Sequence, residues 1–315
     1  MMELPLALKG AVERRLAGAD MRRMARVSEE ISERYRAADG RGAPLISRAD
    51  EALAYSAVRM PATFGAAKTA LARALEAVDF DIRSLIDAGA GTGTATWAAA
   101  GLLSLQEITC LERADAMLEL GQSLMEDGPA ARWVKCDLSA QPIPERADLV
   151  VASYALNELN EEGRLRAIEK LWGAAEKMLI IVEPGTPACY RQIMKAREFL
   201  TGMGAHVAAP CPHGDVCPLP EGDWCHFSCR IARGRLHKQL KGVDVPYEDE
   251  KFSYAAFVRE NSARPHARVI RHPLAEKGRI TVDLCGTSGL QRRAYLKRDE
   301  SYKMARKLSW GDGIG

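Results

Sequence analysis

Three cysteines, Cys211, Cys217 and Cys225, fall within fifteen residues of the run APCPHGDVCPLPEGDWCHFSC, and a fourth, Cys285, lies far downstream in RITVDLCGTSG. Thiolates are soft ligands. Four of them drawn from one loop and one distant strand suit zinc or an iron–sulfur cluster. The neighbouring Pro, His, Gly and Asp residues make a poor setting for thiols packed as apolar groups. Cys225 and Cys229, with His213 and His226 close by, leave a mixed Cys/His zinc site open as well. The intervals of five and seven residues between the first three cysteines are not those of bacterial ferredoxins. Cys110, Cys136 and Cys189 are scattered in or beside apolar strands and read as buried small hydrophobes.

A second chemical signature precedes the cysteines. LIDAGAGTGTATWAAA reads as a strand, a glycine-rich turn and the start of a helix, with Asp87 ending the strand and Gly89, Gly91 and Gly93 allowing close backbone approach to a ligand. Dinucleotide folds want a third glycine where this chain has Thr94, which weakens that reading. The acid-x-G-x-G-x-G run instead resembles the first motif of class I S-adenosylmethionine (SAM) methyltransferases. That resemblance implies that Glu112, ending the next strand, accepts hydrogen bonds from the ribose hydroxyls. It also implies that Asp137, after the third strand, lies beside the adenine amino group. After the fourth strand stands SYALNEL, with Asn157 and Glu158, where amino-methylating enzymes carry an Asn/Asp-Pro-Pro-aromatic run. No cysteine nucleophile follows it, so no recognisable base or nucleophile is in place. Methyl transfer by positioning alone stays open.

These residues need a scaffold. Residues 1–80 read as a helical cap, with apolar positions three and four apart, broken at GRGAP and resumed around Pro61. From Ile82 the rhythm is strand–loop–helix, with strands in SLIDAG, EITCLER, ARWVKCD, ADLVVASYAL and KMLIIVEP. Such alternation predicts an α/β fold, a class I SAM-methyltransferase (Rossmann-like) sheet over 81–207. A Cys-rich metal loop and a small basic β region fill 208–315. EPGTP reads as a turn into the next helix, and Asp249, Glu250 and Lys251 as a surface ion-pair run.

The chain is 315 residues long, 47% apolar and 27% charged, ordinary values for a globular protein. No apolar run reaches membrane-spanning length and no secretory signal is evident, so the expectation is a cytoplasmic protein without a membrane partner. The net charge of +2 hides an asymmetry: residues 226–315 carry 19 Lys and Arg against 10 Asp and Glu. A basic C-terminal third points to a polyanion such as RNA.

The strings RMPATFGA, LIDAGAGTGTATWAA, VVASYALNEL, VEPGTPACYRQIMKAR, PCPHGDVCPL, DWCHFSCRIAR, EDEKFSYAAF, DLCGTSG and MARKLSWGD run in order from about residue 55 to the C terminus. In them the chain resembles the mitochondrial small-ribosomal-subunit methyltransferase-like assembly proteins and their bacterial relatives. The resemblance implies a 4Fe–4S cluster on Cys211, Cys217, Cys225 and Cys285, with Cys229 a bystander. It implies SAM at the glycine turn, and work on the small ribosomal subunit through its rRNA as an assembly or translation factor. An active rRNA methyltransferase with the same cluster is the alternative, and a zinc-containing small-molecule methyltransferase a third. The cluster would clamp the Cys loop to the tail. Arg230, Arg233, Arg235, Lys238 and Lys241 would then lie beside Arg292, Arg293, Lys297 and Arg298.

Overall fold

The computed structural model of the chain describes residues 1–37 and 45–315, with residues 35–37 as backbone only. Helices α1 (Leu6–Leu16), α2 (Met21–Ala37), α3 (Ala49–Val58) and α4 (Met60–Leu75) form the N-terminal layer. The expected break at GRGAP lies outside the described residues. Pro61 starts an element rather than breaking one: it sits in the first turn of α4, where its missing N–H leaves no helix bond unmade.

Alternation follows as β1 (Ser84–Ala88), α5 (Thr94–Ala100), β2 (Glu107–Glu112), α6 (Asp115–Leu124), β3 (Arg132–Lys135) and β4 (Ala147–Ser153). A 3-10 turn at Leu156–Glu158, then α7 (Glu161–Ala174), β5 (Ala175–Pro184), α8 (Pro187–Gly202) and β6 (His206–Ala209) continue it. All five strands expected from the sequence form, and they pair in parallel. Beyond them come β7 (Phe227–Ala232), α9 (Arg235–Lys241) and β8 (Tyr247–Val258).

The main sheet runs β3-β2-β1-β4-β5-β8-β6, and β8 is antiparallel to β5. On the far edge of β8, β6 pairs with its C-terminal end and β7 with its N-terminal half. KFSYAAFVRE, assigned from the sequence to the C-terminal β region, therefore lies inside the main sheet. Only from Ala267 does the chain build a sheet of its own, from β9 (Ala267–Val269), β10 (Leu274–Glu276), β11 (Arg279–Gly286), β12 (Gly289–Leu296) and β13 (Gly313–Ile314). A short helix, α10 (Tyr302–Ala305), packs on it.

Burial explains the layers. Along β4, Leu149 and Val151 face one core with Leu85, Ile180 and Val182, shared with α1 to α5. Val150 and Ala152 face the other with Ile86, Leu179 and Ile181, shared with α7 and α8. Apolar residues on both faces of one strand are what a parallel sheet covered by helices demands. Each fully buried branched side chain contributes about 1.5–3 kcal/mol against the cost of ordering the chain. The small sheet has its own core of Val269, Ile280, Val282, Leu284 and Tyr295. Parallel pairing brings the carboxyl ends of β1 to β4 to one edge, where such sheets take ligands.

Candidate functional site

A cavity opens at that edge, where a parallel sheet of this kind takes its ligand. Asp87, Gly89, Gly91, Glu112 and Asp137 all line it, while Gly93 stands behind it as the residue capping α5. Gly89 has φ of +69°, and a Cβ there would meet the Ala155 Cβ at 2.5 Å. At Gly93, with φ of +78°, a Cβ would fall 2.1 Å from the Met125 Cε. Both positions therefore require glycine.

The three acids hold the turn as well as facing the cavity. Asp87 is buried and accepts from the Thr96 N–H and hydroxyl, both at 2.9 Å; burial pushes its carboxyl up to about 6. Glu112 accepts from the N–H groups of Gly91, Arg113 and Ala114, each at 2.8 Å. Burial nonetheless holds it above the usual carboxylate value. At Asp137 burial pushes upward, but hydrogen bonds from the Ser139 N–H (2.8 Å) and hydroxyl (2.6 Å) outweigh it and lower the carboxyl.

The opposite wall comes from α3, α4 and the segment after β4: Tyr55, Thr63, Tyr154 and Glu158. Tyr154 is the one non-glycine residue with positive φ (58°) among the described residues. Its hydroxyl donates to Glu250 on β8 at 2.8 Å, and Arg59 pairs with the same carboxylate at 3.2 Å. Glu250 is thus largely buried in a network, whereas Asp249 forms the exposed pair expected of that run, with Arg230. Glu183, in the EPGTP turn, is buried; its Oε1 accepts from the Leu156 N–H at 2.9 Å and so sets the SYALNEL segment. Burial pushes Glu183 up to about 8. Sequence reasoning missed Arg59 and Tyr154. They lie in strings quoted for the family resemblance, but only the fold brings them together.

A second, smaller cavity lies between α8, β8, the 210–225 loop and β11. Cys211, Cys217, Cys225 and Cys285 all line it; Cys229 does not. Cys229 instead faces α4, its sulfur 3.2 Å from where a Gly65 Cβ would stand. His226 stacks on Trp224 and meets Trp310 edge-on, so it too is turned to other partners. The mixed site of Cys225, Cys229, His213 and His226 is therefore not assembled. Among the described residues no three His, Cys, Asp or Glu side chains converge closely enough for a single metal ion. Burial raises the Cys211 and Cys225 thiols and pushes Cys285 up to about 12. Tyr190 donates to the Cys217 sulfur at 3.2 Å, and His213 Nε2 lies 3.6 Å from the Cys285 sulfur. Cys110, Cys136 and Cys189 are buried, as expected.

The tail is tied to the rest by hydrogen bonds and ion pairs. Arg268 donates to the Pro210 carbonyl at 2.7 Å, Arg271 pairs with Asp223, and Arg73 with Asp312. The first basic run is partly neutralised: Arg230 pairs with Asp249, and Arg233 and Lys241 with Glu248.

A parallel sheet in this strand order, with an antiparallel strand beyond β5 and a glycine turn at its carboxyl edge, defines the class I methyltransferase fold. Within that class the chain belongs to the family described as mitochondrial small ribosomal subunit Rsm22, whose sequence model matches residues 49–315. It is 29% identical over 286 residues to the human mitochondrial ribosome assembly protein METTL17, covering 82% of this chain and 61% of that one. It is 26% identical over 213 residues to Rsm22-cox11 tandem protein 2 of Schizosaccharomyces pombe, covering 52% of this chain and 28% of that one. The chain thus spans less than two thirds of the length of these relatives. Among solved structures it is similar to the magnesium protoporphyrin IX methyltransferase ChlM of Synechocystis PCC 6803. There the identity is 14% and the TM-score 0.42, over 72% of this chain and 90% of that one. It is also similar to the N-methyltransferase NodS of Bradyrhizobium japonicum, at 12% identity and a TM-score of 0.42, over 74% of this chain and 95% of that one.

One expectation is overturned here. The family's description and the names of these relatives are mitochondrial, which corrects the cytoplasmic location expected from the sequence. Among the described residues no helix is long and apolar enough to cross a membrane.

Proposed function

We propose that this protein is an assembly factor of the small ribosomal subunit that holds SAM at the glycine turn and a 4Fe–4S cluster on Cys211, Cys217, Cys225 and Cys285, and binds rRNA. The observation that carries the reading is the pairing of two separate cavities, one lined by the glycine turn and its acids, the other by the four cysteines. The glycine turn, its acids and the four cysteines all lie inside the segment matched by a ribosomal-protein family.

The cysteine cavity suits a cluster better than one zinc ion. Its lining holds no carboxylate, its potential donors are the four thiols and His213, and soft thiolates select zinc or iron–sulfur centres. A single zinc draws its sulfurs to about 2.3 Å from one point, and no three donors converge that closely among the described residues, whereas a cluster takes its ligands at separate corners. The Arg197 Nε and the Tyr254 hydroxyl are buried there without hydrogen-bond partners, donors suited to sulfide and thiolate acceptors. When bound, the cluster would supply a cross-link between the 210–225 loop and β11. The chain's own part is to hold both segments together beforehand, through Arg268 and the packing of Trp310 on His226.

At the first cavity, Glu112 and Asp137 present carboxylate oxygens for ribose and adenine donors, and Gly89 admits the cofactor close to the backbone. The Tyr154 hydroxyl, engaged with Glu250, is not free to take a proton from a methyl acceptor, which favours the assembly role over catalysis. rRNA binding rests on the cations of the basic third that have no ion pair among the described residues, Arg235, Lys238, Lys297 and Arg298 among them.

The test combines calorimetric titration with SAM and filter binding to small-subunit rRNA at rising salt. SAM binding, together with rRNA affinity that falls steeply with salt, is the expected result. Absence of either removes that half of the reading. Transfer of a labelled methyl group from SAM to immature subunits would replace the assembly role with methyltransferase activity.

A further inference from the structure

Two arginines on the cysteine cavity are buried without an anion. Arg197 on α8 is 6% exposed and Arg268 on β9 is 2% exposed, and both line the cavity with the four thiols. A guanidinium stays charged in any protein environment, and an uncompensated buried charge is costly. The partners they do have are neutral carbonyls: Asp215 O at 2.5 Å for Arg197, Pro210 O at 2.7 Å and Gly311 O at 2.8 Å for Arg268. Of the nearby carboxylates, Asp312 is paired with Arg73 and Asp223 with Arg271, while Asp215 is exposed and gives Arg197 its carbonyl; among the described residues neither buried arginine has an ion pair. Two positive charges therefore face a cavity that holds thiols and no acid.

We propose that Arg197 and Arg268 are the counter-charges of a dianionic tetrathiolate centre, an inference that rests on the metal reading above. Four thiolates around a doubly positive core, whether a 4Fe–4S cluster in its oxidised state or a zinc ion, carry a net charge of minus two. Two guanidinium groups match that charge. A one-electron reduction of the cluster would add a negative charge that neither arginine balances. Positive charge beside the sulfurs steadies the dianion in a buried site and favours the still more negative reduced state further, so the arginines hold the midpoint up, in keeping with charges and hydrogen bonds near the sulfurs setting the potential.

The experiment uses the full chain purified without oxygen, as wild type and as R197Q, R268Q, R197K and R268K. Iron and sulfide per chain, visible absorption and the midpoint potential are measured. Each glutamine variant is expected to shift the midpoint to more negative values, or to lose cluster. The lysine variants, which keep the charge but lose the planar donor set, are expected to stay loaded with a midpoint close to wild type. Glutamine variants with full cluster and an unshifted midpoint overturn the inference. So do lysine variants that fail to the same degree, because the cause would then be lost hydrogen bonds. If the metal is zinc, retention against a chelator replaces the potential, with glutamine variants releasing metal faster than lysine ones. A wild-type protein with no metal on these cysteines removes the metal reading and the inference together. A loaded wild type with indifferent variants removes the inference alone.

Discussion

The Tyr154 hydroxyl donates to the Glu250 Oε1 at 2.8 Å, joining the segment after β4 to the middle of β8. Arg59 at the α3–α4 junction pairs with the same carboxylate at 3.2 Å. One carboxylate thus fixes three elements around the first cavity, and it holds Tyr154 in a backbone region that costs a non-glycine residue about 1 kcal/mol or more. Glu250→Ala leaves Arg59 without its anion. Breaking a fully buried pair costs about 3–5 kcal/mol. The Arg59 side chain keeps 30% exposure, so the expected loss is on the order of 2 kcal/mol. Tyr154→Phe removes one charge-assisted bond and is expected to cost about 1.5 kcal/mol. Urea unfolding of the two variants checks the order, and a larger cost for Tyr154→Phe would show that the ion pair is not the anchor.

The glycine turn gives a second test. Gly89→Ala forces an L side chain into φ of +69° with its Cβ 2.5 Å from Ala155, so the turn has to move. SAM affinity is expected to fall at least tenfold, about 1.4 kcal/mol. Glu112→Gln turns an acceptor into an amide that cannot satisfy all three backbone donors, and is expected to weaken SAM by a similar factor. Asp137→Asn, whose carboxylate is already half occupied by Ser139, is expected to cost less. Calorimetric titration ranks them. Equal losses at Asp137 and Glu112 would mean that the loop contacts of Glu112 matter little.

How far the sequence reached follows from what each signal encodes. The five parallel strands were legible because apolar runs between glycine and acidic turns report local burial. That Asp87, Glu112 and Asp137 share one cavity was legible because each stands at or just past the carboxyl end of a strand. β8 was misassigned to the tail because its place between β5 and β6 depends on pairing with residues about seventy positions earlier, which no local pattern carries. Glu250 read as surface charge for the same reason, its partners Arg59 and Tyr154 being 191 and 96 residues away. Arg197, outside the basic C-terminal third, and Arg268, within it, carry no local signal in the sequence. Only burial set them apart.

Cysteine replacements separate ligands from bystanders. Cys211→Ser, Cys217→Ser, Cys225→Ser and Cys285→Ser each remove a thiol from the cavity and are expected to lose most of the iron and sulfide. Cys229 lies on β7 against α4, and burial pushes its thiol up to about 12. Cys229→Ser should keep the metal and cost about 1 kcal/mol in packing and unsatisfied hydroxyl. The tail should stay folded even in Cys285→Ser, because Arg268, Trp310 and the Arg73–Asp312 pair also hold it. Metal analysis and limited proteolysis read the two effects separately. Iron loss in Cys229→Ser alone would move the ligand set, and tail cleavage in Cys285→Ser would make the cluster the only clasp.

Glu183 predicts a pH dependence with a definite sign. Its folded value, pushed up to about 8 by burial, lies well above the ordinary 4.5 of an exposed glutamate. Between those values the folded chain holds a proton that the unfolded chain has released, so its contribution to stability is fully present below about 4.5. It declines as pH rises toward about 8 and changes no further above that. The slope is bounded at about 1.4 kcal/mol per pH unit. Glu183→Gln keeps an acceptor for the Leu156 N–H but cannot ionise. The stability difference between wild type and variant should therefore move steadily in favour of the variant from pH 5 to pH 8, whatever its starting value. Paired thermal melts across that range measure it. A difference that stays flat with pH would mean that Glu183 is ionised in the folded protein, paired with the nearby Arg164 rather than neutral on the Leu156 amide.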